Sequence, residues 1–308
     1  MSIKVALIFP GQGAQRVGMG QEFYNTSPQA REVFETADRT LNNGLGDVIF
    51  NGPAEKLTQT AYCQPAILTF SIAALKAFQT HPKDKNISVQ FVAGLSLGEY
   101  SALIAAGAIS FAEGLRLVER RSFFMDEACQ LSAGKMAAII GFDKEKLKRI
   151  CQQTGAEVAN FNSHEQIVIT GQADKVEAAC ELIKKEGVKA VIPLEVSGAF
   201  HSSLMQPAAG KFVEELKKVQ FKNPQALVIS NVTGQLVSKA AEIPALLAKQ
   251  ITSSVQWVAS VEYMASQGVE HFIEIGPGKV LKGLIRKINP ALKVFNIETP
   301  QDIEPLPF

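Results

Sequence analysis

The sequence predicts an α/β protein, a parallel sheet covered by helices with a smaller α+β unit set into it. Three observations carry this. Apolar runs such as Val5-Ala6-Leu7-Ile8-Phe9 are continuous rather than alternating, the pattern of strands buried on both faces. Helical periodicities fill most of the chain between those runs. From residue 136 the pattern changes to short strands and helices in the order β-α-β-β-α-β. The length, 308 residues, suits one large domain or one domain carrying an insertion.

Taken in order, Val5 to Phe9 is the first strand and runs into Pro10-Gly11-Gln12-Gly13-Ala14-Gln15. A dinucleotide fingerprint would need a third glycine where Arg16 stands, so this loop is either a plain turn or a cradle of backbone N–H groups for an anion or oxyanion. Helical patterns and polar loops alternate over residues 20 to 80, ending in an apolar helix from Ala66 to Phe78 and a solvated loop from His81 to Asn86. Val89 to Ala93 is a strand that stops at Gly94, and Ser101 to Ala106 is helical. Leu115 to Met125 is an amphipathic helix; its neighbours Arg120 and Arg121 point about 100° apart, so at most one faces a given cleft.

Met136 to Phe142, Val158 to Phe161, Gln166 to Thr170 and Lys189 to Leu194 are the strands of the inserted unit, with helices at Lys144 to Gln153 and Ala173 to Glu186. This is the ferredoxin-like order, and it places an insertion at residues 128–197 within a large domain made of 1–127 and 198–308. A helix from Leu204 to Val219, a strand from Ala226 to Ser230 and helices at Pro244 to Ile251 and Val255 to Gln267 follow. Val269 to Ile275 is the last strand, Leu281 to Ile288 a helix, and the tail from Thr299 to Phe308 is expected on the surface.

Composition narrows the function. With 46% hydrophobic and 20% charged residues the chain can bury a sizeable core, and a net charge of +1 argues against a generic nucleic-acid binder. The cysteines, Cys63, Cys129, Cys151 and Cys180, form no C-x-x-C pair or zinc pattern and are expected as reduced thiols of a cytoplasmic protein. The first apolar run is too short for a signal peptide, and the stretch from Leu103 to Phe111 falls far below membrane-spanning length. No metal, membrane or nucleic acid is expected.

Gly94-Leu95-Ser96-Leu97-Gly98 is G-x-S-x-G between a strand and a helix. In that setting the turn pushes the serine hydroxyl outward, and the following helix points backbone N–H groups at whatever the serine attacks. A tight turn with an incidental serine is the bland alternative; the flanking elements favour a nucleophile. A serine needs a base within hydrogen-bond reach. Of four histidines, His81 lies in a polar loop, His164 in the inserted hairpin and His271 in a buried-looking strand, whereas His201 follows Ser96 in chain order among small residues at an element boundary. His201 is the candidate base. No acid stands out as a third member, and a backbone carbonyl could orient the imidazole instead.

Phe9-Pro10-Gly11-Gln12-Gly13-Ala14-Gln15, Gly94 to Tyr100, Arg121, Gly198-Ala199-Phe200-His201 and Glu274-Ile275-Gly276-Pro277-Gly278 together resemble the malonyl-CoA:acyl carrier protein transacylase family, over nearly the whole chain in one order. The resemblance implies an α/β-hydrolase-like parallel-sheet domain with an inserted ferredoxin-like subdomain. It implies Ser96 as the nucleophile that carries malonyl as an ester, His201 as base and then acid, and the main-chain carbonyl of Gln250 as the group orienting His201. It further implies the backbone N–H groups of Gln12 and Leu97 as oxyanion hole, Arg121 as partner of the malonyl carboxylate, and Phe200 as a residue of malonyl-selective members. Malonyl-CoA is then a substrate, the phosphopantetheine belongs to the carrier protein, and the enzyme, expected to be a monomer, has no cofactor of its own. An acidic carrier protein would meet a basic face, for which Lys279, Lys282, Arg286 and Lys287 are candidates; an ordinary solvated helix face is the other reading. Two departures stand out: Leu95 where many relatives have histidine, and Ser253-Ser254-Val255 where they have Asn-Pro-Val, expected to loosen the loop after Gln250. A stand-alone acyltransferase of a polyketide synthase, a serine esterase or thioesterase, and a non-enzymatic acyl-carrier binding module are the competing readings.

Overall fold

The computed structural model describes residues 2–308. Ten strands form two sheets. They are β1 (Ile3–Phe9), β2 (Ile87–Gly94), β3 (Gly134–Ile140), β4 (Glu157–Ser163), β5 (Gln166–Gln172), β6 (Ala190–Pro193), β7 (Leu227–Ile229), β8 (Leu236–Val237), β9 (His271–Ile275) and β10 (Lys293–Ile297). The larger sheet runs β10-β9-β1-β2-β7-β8. It is parallel apart from the antiparallel β7–β8 hairpin at one edge. The smaller sheet, β4-β5-β3-β6, is antiparallel throughout and lies between residues 134 and 193.

β1 sits at the centre of the parallel sheet, and Val5 to Phe9 are buried, as a run without alternation requires. The carboxyl ends of β1 and β2 therefore lie side by side, with Phe9 paired to Gly94. This juxtaposition brings the glycine-rich loop against the Ser96 turn.

Several elements depart from the sequence expectation. The apolar helix begins at Thr60, not Ala66, and runs to Thr80 through Pro65. Proline normally stops a helix, but here the surrounding core buries Pro65 and its neighbours and holds the helix through it. This helix is long and apolar enough to cross a membrane by composition, yet 83% of its most apolar window is buried inside the protein. The loop from His81 is a short helical turn at Pro82–Asn86. The helix expected from Leu204 starts at Gln206, preceded by a tighter turn, and the one expected from Val255 starts at Trp257. Val255 instead forms an isolated parallel bridge with Asn160 of β4.

β9 is not the last strand. β10 follows it and pairs in parallel along its length; Lys293 and Asn296 break its apolar run, so it does not read as a buried strand. The tail runs along the surface, with Gln301, Glu304, Pro305 and Pro307 exposed, but it is anchored there. Ile303 and Leu306 are buried, and the Phe308 ring stands 5.9 Å from His271 and 5.3 Å from Phe295. His271 is consequently a half-buried residue at the start of β9, stacked on Phe295. At the other end of β9, the buried Glu274 carboxylate accepts the N–H groups of Leu281 (3.0 Å) and Lys282 (2.8 Å), the open donors in the first turn of the helix Val280–Ile288. Burial pushes Glu274 up to about 7. Leu306→Ala should cost about 2–5 kcal/mol, the usual range for emptying a buried leucine site, read from the denaturant midpoint; an unchanged midpoint would show that the tail is not anchored through Leu306.

Candidate active site

The turn between β2 and the helix Gly98–Ala105 brings three backbone segments closer than side chains allow. A Cβ on Gly94 would lie 2.0 Å from the carbonyl of Gly98, and one on Gly98 would lie 2.1 Å from Phe9 O. Both glycines of the motif are therefore required by packing. A Cβ on Gly11 would meet Leu95 O at 2.8 Å, so the glycine-rich loop presses on the same turn. Ser96 sits at φ 52°, in the left-handed region that non-glycine residues rarely adopt. Asn231, just past β7, holds it there: Oδ1 accepts the Ser96 N–H at 2.6 Å and Nδ2 donates to Gly94 O at 2.6 Å.

Ser96 Oγ is 2.8 Å from His201 Nε2, and His201 Nδ1 is 2.9 Å from the backbone carbonyl of Gln250. A carbonyl can only accept, so Nδ1 carries the proton and Nε2 is left free to accept one from the serine. No acid is needed for that. His201 is buried; burial, then the Arg121 charge, lowers its pKa to about 4, which keeps the imidazole neutral. His81 and His164 lie elsewhere, facing Glu304 and Glu262.

Of the two neighbouring arginines, Arg121 points inward and is 1% exposed, while Arg120 covers Phe123 and Phe124 outside. The Arg121 guanidinium donates to Gln64 Oε1 at 2.6 Å, Gln250 Oε1 at 3.0 Å and Ser96 Oγ at 3.1 Å. All three acceptors are neutral. Burial pulls its pKa down, opposed by Tyr100 and Glu99. Gln12 leans on this cluster through its side chain, which accepts from Gln64 Nε2 at 3.3 Å. The backbone N–H groups of Gln12 and Leu97 donate to no protein acceptor among the described residues.

A cavity of about 150 Å³ opens onto Ser96 and His201, walled by Gln12 and Phe200 and by Met136 and Asn162 of the smaller sheet. Asn162 Oδ1 is buried without a partner. Phe200 is buried, its carbonyl held by Thr170 Oγ1 at 3.0 Å. An outer cavity of about 410 Å³ shares Gln12 and Val196 with the inner one. The Ser253-Ser254 segment is not loose: Ser254 Oγ donates to Val158 O, and Val255 N–H donates to Ala159 O at 2.8 Å, tying the chain after Gln250 to β4.

The structure brings Ser96, His201, Arg121, Gln250, Gln12, Leu97 and Phe200 together. Lys279, Lys282, Arg286 and Lys287 stand apart on the helix Val280–Ile288 and its first turn. Burial, then the charges of Arg286 and Lys279, lowers the Lys282 pKa. The turn before them touches the glycine-rich loop, where a Cβ on Gly278 would lie 3.0 Å from Ala14. Gln64, Asn231 and Glu99 also belong to the cluster, but the sequence reading gave them no role. A polar residue just beyond a parallel strand, as Asn231 is, was the available signal.

Such a fold, with a serine on a tight turn and a neutral histidine in reach of it, is that of an α/β enzyme of the acyl-transferring class. The profile of the acyl transferase domain family matches residues 6–294, and the chain belongs to that family. It is 47% identical over 306 residues to the malonyl CoA-acyl carrier protein transacylase of Bacillus subtilis (strain 168), covering 98% of this chain and 95% of the relative. Among solved structures it resembles an acyl-carrier-protein S-malonyltransferase from Bartonella henselae at a TM-score of 0.92, with 40% identity and 98% of each chain covered. It also resembles a malonyl-transacylase solved with its type II PKS acyl-carrier protein, at a TM-score of 0.93, 37% identity and 98% of each chain.

The neutral imidazole can be measured directly. NMR titration of the histidine ring signals, with His201 assigned by its loss in His201→Gln, should give a midpoint near 4 rather than the usual 6.5. A midpoint at the ordinary value would contradict this geometry.

Proposed function

We propose that this chain transfers the malonyl group from malonyl-CoA to the phosphopantetheine thiol of acyl carrier protein through a malonyl ester on Ser96. The observation that carries the reading is the buried Arg121 guanidinium, 3.1 Å from Ser96 Oγ and bonded only to neutral acceptors. A malonyl group esterified at Oγ places its free carboxylate a few bonds away, within reach of that charge. Acetyl would leave the charge unpaired, which costs several kcal/mol in a closed site.

In the first half-reaction His201 Nε2 takes the Ser96 proton as Oγ attacks the thioester carbonyl. The oxyanion lies between the N–H groups of Gln12 and Leu97, which have no protein acceptor to give up. The tetrahedral intermediate collapses, the C–S bond breaks, and His201 returns its proton to the CoA thiolate. The carrier thiol then attacks the ester with the same groups acting in reverse, and Ser96 recovers its proton. Gln250 holds the imidazole tautomer through both halves. Phe200 narrows the cavity against a branched malonyl group, a bias worth about 1–3 kcal/mol for one methyl. The inserted unit, 128–197, supplies one wall of that cavity through Met136, Asn162 and Leu194. The enzyme uses no cofactor of its own, and the reaction belongs in the cytoplasm, where it supplies extender units for fatty acid synthesis. A type II polyketide carrier protein is the second reading, because one of the similar structures holds such a partner. Transfer rates to the two kinds of carrier protein separate them.

The basic cluster of Lys279, Lys282, Arg286 and Lys287 supports docking of an acidic carrier protein beside the glycine-rich loop. The double variant Lys282→Glu, Arg286→Glu should raise the KM for carrier protein and leave loading from malonyl-CoA unchanged; an unchanged KM would remove the patch from the account. Arg121→Ala should lose most of the preference for malonyl over acetyl loading, and His201→Ala should slow ester formation by about 10²–10⁴-fold. Retained malonyl preference in Arg121→Ala would show that the arginine does not read the substrate.

A further inference from the structure

Glu99 takes no part in the chemistry above, yet its side chain is fully enclosed at the heart of the site. Its Oε2 accepts Gln250 Nε2 at 2.5 Å and the Asn231 backbone N–H at 3.3 Å. Gln250 is the residue through which the site is joined. Its Nε2 also donates to Ser96 O at 3.0 Å, its Oε1 accepts from Arg121 at 3.0 Å, and its main-chain carbonyl accepts from His201 Nδ1 at 2.9 Å.

A glutamine amide has nearly the same shape when flipped, so its orientation is decided by the donors and acceptors around it. On one side of Gln250 stands Arg121, which can only donate. On the other side stands Glu99, which accepts at both oxygens when ionised. These two groups together permit a single orientation, with Nε2 toward Glu99 and Oε1 toward Arg121. We propose that Glu99 is a positioning residue, whose carboxylate fixes the Gln250 amide and so keeps Arg121 aimed at the acyl group on Ser96. This rests on the reading of Arg121 as the partner of the malonyl carboxylate. The same Asn231 that receives the Ser96 N–H donates its own N–H to Glu99, so the serine turn and the arginine share one framework. Burial pushes the Glu99 pKa up to about 7, against the hydrogen bonds from Gln250 and Asn231 and the charge of Arg121, which favour the ionised form.

Glu99→Leu keeps roughly the size of the side chain and removes the oxygen that Gln250 Nε2 and the Asn231 N–H share. The Gln250 Nε2 is then held by Ser96 O alone, and a flip of the amide turns a donor toward Arg121. A crystal structure of this variant without substrate is expected to show Arg121 withdrawn from Ser96 and Gln250; Arg121 unmoved overturns the proposal, whatever the activity. The ratio of malonyl-serine to acetyl-serine formation should fall roughly ten- to a hundredfold, the loss of one charged hydrogen bond. In a Gln250→Ala background the same change should lower the ratio no further. An equal fall in both backgrounds would show that Glu99 does not act through Gln250 and would overturn the proposal. Glu99→Asp, which keeps the charge but draws back from Gln250, is the alternative should Glu99→Leu not fold, with a fall in the same direction expected and an unchanged ratio overturning it. Arg121 displaced in the variant structure, with a native protein that shows no malonyl preference, would leave this positioning role intact and remove the malonyl reading instead.

Discussion

Arg121 carries a positive charge into a place closed to bulk water, and three neutral oxygens take its N–H groups. An unpaired buried cation is expensive, and neutral acceptors recover only part of its lost hydration. The surrounding residues make sense as the means of tolerating that charge. Gln64 and Gln250 turn their carbonyl oxygens toward it, and Glu99 lies behind Gln250 as an acceptor. The same charge helps to keep His201 neutral, so the group we propose as the reader of the substrate also readies the proposed base.

The second constraint is backbone proximity at the carboxyl end of the parallel sheet. β1 and β2 are neighbours, and their ends meet where Gly94, Gly98 and Gly11 let chain segments approach without side chains between them. This brings the loop that carries Gln12 against the turn that carries Ser96 and Leu97. Holding Ser96 in its left-handed conformation costs on the order of 1–3 kcal/mol, and the paired hydrogen bonds of Asn231 oppose its relaxation. The reactive hydroxyl is thus placed by the sheet, not by a flexible loop.

Much of this was legible in the sequence. G-x-S-x-G between a strand and a helix pointed to Ser96, and the backbone carbonyl on His201 was open as a possibility because no acid stood out. Helix geometry allowed at most one of the two arginines to face a given cleft, and only the resemblance chose Arg121. Other parts were hidden for identifiable reasons. Glu99 and Asn231 act through hydrogen bonds to residues more than 130 positions away, which no local pattern reports. β10 is an edge strand interrupted by polar side chains. The tail looked like a solvent-exposed end because Ile303 and Leu306 are isolated apolar residues between polar and proline positions, yet the edge of the sheet offers them a surface to cover.

The central claim is that a malonyl ester forms on Ser96 and waits for a carrier thiol. Intact-protein mass spectrometry after brief mixing with malonyl-CoA tests it most directly, beside acetyl-CoA and Ser96→Ala controls. The account predicts a malonyl adduct that needs Ser96, exceeds the acetyl adduct, and clears when holo-acyl carrier protein is added. An adduct that clears equally fast in buffer alone would make the protein a hydrolase, and no adduct at all would contradict the account.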